Sequence, residues 1–323
     1  MKRRLSVLVV IAVLTAVVFT GCSDSGSDSN KVYNIGVCQL VEHPALDAAT
    51  QGFKDALTAK LGEANVKFDV QNAQGEQATS ATICNGFVAD NVDLILANAT
   101  TPLQTAAAAT SSIPILGTSV TDYASALQID NWNGTTGRNI SGTSDLAPID
   151  QQEKMIKDIF PDVQKVGLLY CTAESNSAYQ IDSIIKSLEA DGIAYVKYGI
   201  ADSNEIQSVV TNAVSECDVL YIPTDNTLAD ATETIYNIVV PAKVPVIAGE
   251  EGICKGCGVA TLSISYYDLG YTTGEMAYEI LVNGKDIKSL EIKYAPNTTK
   301  KYNKSICDKL GIAIPSDYTA IDE

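Results

Sequence analysis

The feature that most constrains the fold is a pattern of alternating strands and helices that occurs twice along the chain. Gly36 and Gly167, each inside the first apolar run of one copy, lie 131 residues apart. In the middle of the copies, V-D-L-I-L-A-N-A-T at 92–100 corresponds to C-D-V-L-Y-I-P-T-D at 217–225. Such internal similarity predicts two similar lobes that arose by duplication of one α/β unit.

Within each copy, short apolar runs alternate with helical stretches of ten or more residues. Strands that are separated by helices of this length are parallel and lie in a sheet with helices on both faces. The predicted fold class is therefore α/β, with two similar doubly wound parallel-sheet lobes joined by a three-crossover hinge. The predicted strands lie at 35–40, 66–71, 92–97 and 113–117 in the first copy and at 165–171, 194–199, 219–223 and 244–249 in the second.

The joints between the lobes are predicted from local composition. Residues 129–142 are rich in Asn and Gly and poor in core-forming residues, which indicates the first crossing. The amphipathic stretch from Tyr267, with Gly270 and Gly274 four residues apart, is expected to return to the first lobe. The strand at 290–294 and the C-terminal tail are expected to complete the second lobe. The predicted N-terminal lobe is 31–138 plus 265–288, and the predicted C-terminal lobe is 139–264 plus 289–323.

The N-terminus has the features of an export signal. Lys2, Arg3 and Arg4 precede an uncharged run that is too short for a comfortable membrane span, and Cys22 follows it. Residues 1–22 are therefore predicted to be a lipoprotein signal peptide with lipidated Cys22, and residues 23–30 a flexible tether. The expected location is extracytoplasmic, anchored to the outer face of the cell membrane. The alternative is ordinary secretion with an unmodified cysteine.

Charge excludes one large class of partners. The chain has 22 Lys and Arg against 39 Asp and Glu, a formal net charge of −17, and no basic cluster. A chain this acidic repels nucleic acid and anionic membrane surfaces, so no nucleic acid partner is expected.

The cysteine count is odd once Cys22 is set aside. Seven cysteines remain, which leaves at least one unpaired in an exported protein. Cys38 and Cys171 end apolar strands and are interpreted as small core residues. Cys254 and Cys257 have C-x-x-C spacing, for which a metal site, a local disulfide and unpaired thiols all stay open.

Candidate ligand-binding residues follow the predicted strands, because ligands of doubly wound sheets lie beyond the carboxyl ends of the strands. Thr101 is predicted to cap the third helix, with Pro102 in its first position. The candidates are Gln39, Glu42, Asn98, Thr100, Thr101, Thr118, Ser119, Thr121 and Asp122 in the first lobe, and Glu174, Asn176, Ser177, Asp225, Asn226 and Glu250 in the second.

These candidates suit a zwitterion. Arg138 is the only arginine after the signal and lies in a predicted crossing, so a ligand carboxylate is expected on N–H groups and hydroxyls led by Thr100 and Thr101. Possible acceptors for a ligand ammonium are Glu42, Asp122, Asp225 and Glu250. Asp225 is favoured because it occupies the second copy of the same strand-to-helix turn. Its alternative role is that of a helix N-cap. Tyr123, Tyr179 and Tyr267 are candidates for an aromatic wall, or for ordinary packing.

Enzymatic chemistry has little support. His43 is the only histidine, and the sequence has no nucleophile elbow, phosphate-binding loop or dinucleotide fingerprint. Acid–base work by Glu42 and His43 is the enzymatic alternative, but Pro44 gives His43 a sufficient structural role at a helix start. No catalytic residue, metal or cofactor is expected.

Five ordered motifs of the chain are E-H-P-A-L-D at 42–47, V-T-D at 120–122, G-R-N-I-S-G-T-S-D at 137–145, G-L-L-Y-C-T-A-E-S-N-S at 167–177 and P-T-D-N-T at 223–227. Through these motifs the chain resembles the TrpX-type substrate-binding proteins of ABC transporters over residues 33–283. The resemblance implies a periplasmic-binding-protein fold with a hinged cleft, working with ABC permease subunits as a monomer. It also implies a small ligand such as tryptophan, phenylalanine or tyrosine, with a sugar or nucleoside as the alternative. The chain departs from the family at Tyr123, where proline is usual, and at the extra threonine of A-T-T-P.

Overall fold

Strands and helices alternate along nearly the whole described chain. The structure is a computed structural model that describes residues 31–295 and 297–321, so the predicted signal peptide, Cys22 and the tether lie outside the described residues. The strands are β1 Tyr33–Gln39, β2 Val66–Asn72, β3 Leu94–Asn98, β4 Ile115–Val120, β5 Ile140–Ser144, β6 Lys165–Cys171, β7 Ala194–Ile200, β8 Val219–Ile222, β9 Val246–Ala248, β10 Ala260–Ser263, β11 Lys293–Tyr294, β12 Thr299–Tyr302 and β13 Thr319–Ala320. The helices are α1 Pro44–Leu61, α2 Gln77–Ala89, α3 Thr100–Ala109, α4 Tyr123–Ala126, α5 Ile149–Ile159, α6 Ser175–Ala190, α7 Ile206–Glu216, α8 Asn226–Asp230, α9 Thr232–Ala242, α10 Glu251–Cys257, α11 Tyr266–Leu281 and α12 Lys304–Leu310.

These elements form two sheets, one in each lobe. The first has the order β11-β5-β4-β3-β1-β2, and all of its pairings are parallel. The second has the order β13-β12-β10-β9-β8-β6-β7, and only the pairing of β10 with β12 is antiparallel. Apolar side chains are buried on both faces of each sheet. The α/β class with two doubly wound lobes is confirmed.

The predicted lobe boundaries need correction at two strands. β5 and β11 pair with each other at the edge of the first sheet, although both lie in segments that were assigned to the C-terminal lobe. The chain therefore crosses after Ser144, between Ser263 and Tyr266, and between Tyr294 and Thr299. The number of crossings is three, as predicted, but the first and third crossings come later in the chain.

β5 escaped prediction because its sequence, I-S-G-T-S, is polar although the strand is fully buried. Its hydroxyls are satisfied inside the lobe, where Ser141 Oγ donates to Leu290 O at 3.0 Å and Thr143 Oγ1 lies 2.9 Å from Thr273 Oγ1. Gly142 has φ +146°, and a Cβ there would collide with the backbone of Gly117. Small polar residues are therefore required at a place where an apolar run would be expected of a buried strand.

The return of α11 to the first lobe is confirmed. α11 packs along α1, and glycines allow the two backbones to approach closely. A Cβ on Gly270 would collide with the backbone of Ala49, and one on Gly274 would lie 2.6 Å from Phe53 O.

The predicted start of the third helix was wrong in detail. Thr101 does not cap α3: the helix begins at Thr100, and the preceding residue, Ala99, has φ +107° and offers no side-chain cap. Among the described residues, no helix is both long enough and apolar enough to cross a membrane.

Candidate ligand-binding site between the lobes

The carboxyl ends of strands from both lobes face each other across a small buried cavity. Most residues that line this cavity lie at or just after the ends of β1, β4 and β5 in the first lobe, such as Leu46, Ser119 and Thr121, or of β6, β8 and β9 in the second. Tyr266 lies at the second crossing. The lining residues are His43, Leu46, Ser119, Thr121, Asp145, Asn176, Thr224, Asp225, Asn226, Ala229, Glu250 and Tyr266.

The lobes are in direct contact around this cavity. His43 Nε2 lies 3.2 Å from Asn226 Oδ1, and the hydroxyls of Thr121 and Thr224 are 3.5 Å apart. The cavity has a volume of about 10 Å³, room for about one water molecule. A larger pocket of about 630 Å³ adjoins it and shares Glu250 and Tyr266 with it. The structure is therefore a closed conformation whose cleft widens on one side.

Ser119 is held in a strained conformation beside the cavity. Its φ is +55°, and the register between β4 and β5 shifts between Gly117 and Val120 around it. Positive φ is unfavourable for a side chain such as serine, and strain of this kind concentrates at functional sites. Ser119 Oγ is buried and has no hydrogen-bond partner, as is also true of His43 Nδ1. Two polar atoms at the cavity wall are thus left for a ligand.

Asp145 is a buried carboxylate that no cation neutralises. It is 4% exposed, and its oxygens accept hydrogen bonds from Thr121 Oγ1 at 3.1 Å and from the Tyr266 hydroxyl at 2.9 Å. Burial raises the pKa of Asp145, and the two hydroxyl donors oppose that rise. Because hydroxyls can turn and each carboxylate oxygen has a second lone pair, Asp145 can also accept a ligand proton donor.

Asp225, the favoured ammonium acceptor, is already occupied by the protein's own backbone. Its Oδ1 accepts from Leu228 N at 2.9 Å, which caps α8, and its Oδ2 accepts from Cys171 N at 2.6 Å. Burial, and then the nearby charge of Glu174, raise the pKa of Asp225 to about 8. The capping role is therefore observed, and Asp225 also borders the cavity.

Glu250 has a similar position in the second lobe. Its carboxylate accepts from Gly252 N at 2.6 Å and from Ile253 N, so it caps α10. Burial raises the pKa of Glu250, and the proximity of His43 across the cleft lowers it.

The electrostatic character of the cavity follows from these groups. Asp145, Asp225 and Glu250 all line it, and its lining contains no lysine or arginine. Raised pKa values of these carboxyl groups mean that the closed site resists carrying this much negative charge. A ligand ammonium would relieve that cost, so the site is suited to a cationic or zwitterionic solute.

The structure brings six of the fifteen sequence candidates to the cavity wall. Glu174 and Ser177 lie directly behind it: Glu174 Oε2 accepts from Asn226 Nδ2 at 2.7 Å, and Ser177 bonds to Asp225. The six at the wall are Ser119, Thr121, Asn176, Asp225, Asn226 and Glu250.

The other seven do not line the cavity in this conformation. Thr100 and Thr101 lie in the first turn of α3, where Thr100 Oγ1 is buried without a partner. Asp122 caps α4 through Ser125 N at 2.7 Å, and Glu42 is exposed. The remaining three form hydrogen bonds inside the first lobe. Gln39 accepts from Thr50, and Asn98 donates to Leu46 O and to Thr50. Thr118 bonds to Thr143.

Sequence reasoning missed several residues that line the cavity. Asp145 was missed because the first crossing was placed too early, although Asp145 ends the G-R-N-I-S-G-T-S-D motif. Tyr266, at the second crossing, was not among the candidates either. Of the tyrosines proposed as an aromatic wall, Tyr123 is buried and donates to Thr143 O at 3.0 Å, while Tyr267 lines only the larger pocket. His43 was considered for acid–base work and for a structural role at a helix start, but not as a ligand contact.

The cysteines of the described chain are all unpaired and buried. Cys254 and Cys257 are therefore free thiols in this structure. Within residues 31–295 and 297–321, no group of three or more His, Cys, Asp or Glu side chains is arranged to hold a metal ion.

Several known proteins are similar to this chain in sequence and in structure. A curated tyrosine-binding protein from Clostridioides difficile (strain R20291) is 37% identical over 303 residues, which cover 90% of this chain and 87% of the relative. An ABC domain in complex with L-Trp from Streptococcus pneumoniae superposes with a TM-score of 0.85 at 31% identity, covering 88% of this chain and 97% of that one. The ligand-free, open structure of a substrate-binding protein with adhesive properties from Clostridium difficile superposes with a TM-score of 0.68 at 38% identity. The match covers 90% of this chain and 99% of that one.

Two α/β lobes that close on a polar cavity at the ends of their strands define a two-lobed solute-binding protein. The sequence model described as ABC transporter substrate binding protein matches residues 34–320. The chain belongs to this family.

Proposed function

We propose that the protein captures a small zwitterionic solute, an aromatic amino acid, between its lobes and delivers it to an ABC importer. The observation that carries this proposal is the cavity between the lobes, where three buried carboxylates and two unpartnered polar atoms meet without a lysine or arginine. That arrangement is matched by a solute with one ammonium and one carboxylate group.

Asp145 is the leading acceptor for the ammonium, because each of its oxygens accepts from a hydroxyl group that can turn, and neither oxygen caps a helix. Asp225 and Glu250 add negative charge on the facing lobe. Ser119 Oγ and His43 Nδ1 are the leading partners for the solute carboxylate, and the first turn of α3 at Thr100 offers further N–H donors as the lobes separate.

An aromatic side chain is supported by the adjoining pocket and by the relatives. The larger pocket is lined by Tyr266 and Tyr267 together with Pro44, Ala45 and Ala48, surfaces on which a ring can pack. One relative is a tyrosine-binding protein, and the structure of another is a complex with L-Trp. Because the cavity itself has room for about one water molecule, a bound amino acid would hold the lobes slightly further apart than they lie here.

The cellular setting of the proposal comes from the N-terminus and the family. Substrate-binding proteins of ABC transporters work outside the cytoplasm, and the residues up to Cys22 have the composition of a lipoprotein signal. We propose a monomer attached to the outer face of the membrane through lipidated Cys22, whose closed form docks on the permease. Mass spectrometry of the N-terminal peptide of membrane-extracted protein tests the modification of that cysteine.

The ligand is tested by thermal unfolding with a panel of solutes. A solute at 100 times its dissociation constant stabilises the folded state by about 2.7 kcal/mol, which raises the melting temperature by roughly 5–10 °C. We expect this rise with tyrosine, phenylalanine or tryptophan, and no rise with the corresponding amines that lack the carboxylate. A rise only with sugars or nucleosides would favour that alternative, and no rise in protein shown by native mass spectrometry to carry no solute would contradict the proposal.

A further inference from the structure

Two cysteines in the first lobe lie together in a small polar cluster inside the apolar core. Cys38 is on β1 and Cys84 is on α2, and both are fully buried. Each thiol lies close enough to the other to shift its pKa. They are 46 residues apart in the sequence, so only the tertiary fold brings them together.

Two hydroxyls complete the cluster. Cys38 Sγ lies 3.4 Å from Ser80 Oγ, Ser80 Oγ lies 2.7 Å from Thr105 Oγ1, and Cys84 Sγ lies 3.5 Å from Thr105 Oγ1. Ser80 and Cys84 are one turn apart on α2, so the helix presents both to β1 and α3. A pair of thiols that served only as small core residues would not need this surrounding of hydroxyls.

The surroundings also make one sulfur a nucleophile. Hydrogen bonds from Cys38 first, and also from Thr105 and Ser80, lower the pKa of Cys84. The shared hydrogen bond and burial raise the pKa of Cys38. The thiolate is the reactive form of cysteine in disulfide exchange, so the cluster favours attack by Cys84 with Cys38 as the second thiol.

We propose that Cys38 and Cys84 form an intramolecular disulfide when the exported chain folds outside the cytoplasm. Cys84 attacks the disulfide of an external oxidant, either a disulfide-exchange protein or a small oxidised thiol, and one oxidant sulfur leaves as a thiol. Cys38 then attacks the Cys84 sulfur of this mixed disulfide, and the second oxidant sulfur leaves as a thiol. Overall, two protein thiols become one disulfide, and their two protons and two electrons pass to the oxidant.

This disulfide pairs two of the seven cysteines that follow Cys22 and does not involve the other five. It leaves Cys171, Cys217, Cys254, Cys257 and Cys307, and burial raises the pKa of each of these, which keeps them in the unreactive protonated form. Since both sulfurs of the proposed pair are buried in the folded lobe, the oxidant must reach them during a late folding step or a local opening that keeps Cys38 and Cys84 together with Ser80 and Thr105. This proposal rests on the proposed export only because export places the chain in an oxidising compartment. Formation of the disulfide itself can be tested in a defined buffer.

The first test maps disulfides in the full chain after refolding in a mixture of oxidised and reduced glutathione. Trypsin places Cys38 alone in the peptide 32–54 and Cys84 alone in the peptide 68–138, so their link has one unambiguous mass. We expect that linked pair after acid quenching, alkylation and digestion without reduction. Recovery of both peptides in alkylated form, or of a link between either one and another cysteine, would overturn the proposal.

The second test measures thermal unfolding with and without a reductant. Closing a loop of this length stabilises a protein by about 2–4 kcal/mol, so reduction should lower the melting temperature by roughly 5–10 °C. The Cys84→Ser variant should lose this sensitivity, while a Cys254→Ser, Cys257→Ser double variant should keep it. An oxidised wild type that is insensitive to reductant would count against the bond even if Cys84→Ser failed to fold. Neither test depends on solute binding, so their failure would leave the proposed function standing.

Discussion

At the scale of single residues, the site is defined by acids that the protein does not neutralise. Asp225 and Glu250 cap helix starts by accepting from backbone N–H groups, whereas Asp145 caps no helix and accepts from the hydroxyls of Thr121 and Tyr266. Removing its charge should therefore affect a bound cation more than the fold.

We expect Asp145→Asn to weaken binding of the aromatic amino acid by about 10–100-fold, the effect of losing one hydrogen bond to a charged group. Its melting temperature without ligand should stay close to that of the wild type, because the amide oxygen can still accept a hydroxyl. Isothermal titration calorimetry measures the affinity. Asp122→Asn is the matched control, since Asp122 caps α4 and does not line the cavity. Equal losses in both variants would show that Asp145 has no special role.

Buried carboxyls also make stability depend on pH. The pKa of Asp225 rises from an ordinary 3.8 to about 8 in the folded state because of burial and the charge of Glu174. A raised pKa means that its stabilising contribution is present below pH 4 and is lost as the pH rises towards 8. In urea unfolding without ligand, we expect the stability of the wild type relative to Asp225→Asn to fall across this window. The slope should not exceed about 1.4 kcal/mol per pH unit, and a flat or rising difference would contradict the assignment.

At the scale of elements, the contact of α1 with α11 ties the second crossing to the first lobe. Gly270 faces the backbone of Ala49 with no room for a Cβ, whereas Gly86 on α2 has open space. Gly270→Ala should therefore destabilise the protein by about 1–3 kcal/mol, since the helices must move apart. Gly86→Ala should be neutral or slightly stabilising because alanine is the better helix former. Urea unfolding at one pH compares them, and equal effects would mean that the close approach contributes nothing.

The elements also show what the sequence could and could not predict. Strands such as β3, with the apolar run L-I-L-A, and helices such as α1, whose first position is Pro44, were predictable because the chain itself carries the signal. β5 was not, since its buried hydroxyls are satisfied by partners as distant as Leu290. The same error removed Asp145 from the predicted site. Candidates next to well-predicted strand ends, such as Thr121 and Asp225, did reach the cavity.

At the scale of the whole molecule, three crossings connect lobes that touch through few polar contacts. His43 with Asn226, Thr121 with Thr224, and Gln104 with Ser175 bridge the cleft, at 3.2, 3.5 and 3.4 Å. Weak hydrogen bonds of this kind are readily exchanged for contacts with water. The negative groups at the cavity also repel one another when they are ionised, so the empty protein has reason to open. A ligand with an ammonium group removes that repulsion and shifts the population towards closure.

Small-angle X-ray scattering tests this coupling. We expect the ligand-free protein at pH 8 to have a larger radius of gyration than the structure described here, and saturating aromatic amino acid to reduce it. The closed shape already superposes better on the L-Trp complex than on the ligand-free, open relative, which supports the same direction of change. At a concentration of amino acid that saturates only the wild type, the Asp145→Asn variant should keep the larger radius of gyration. If the wild type has the same radius with and without the amino acid that raises its melting temperature, binding does not depend on closure of the hinge.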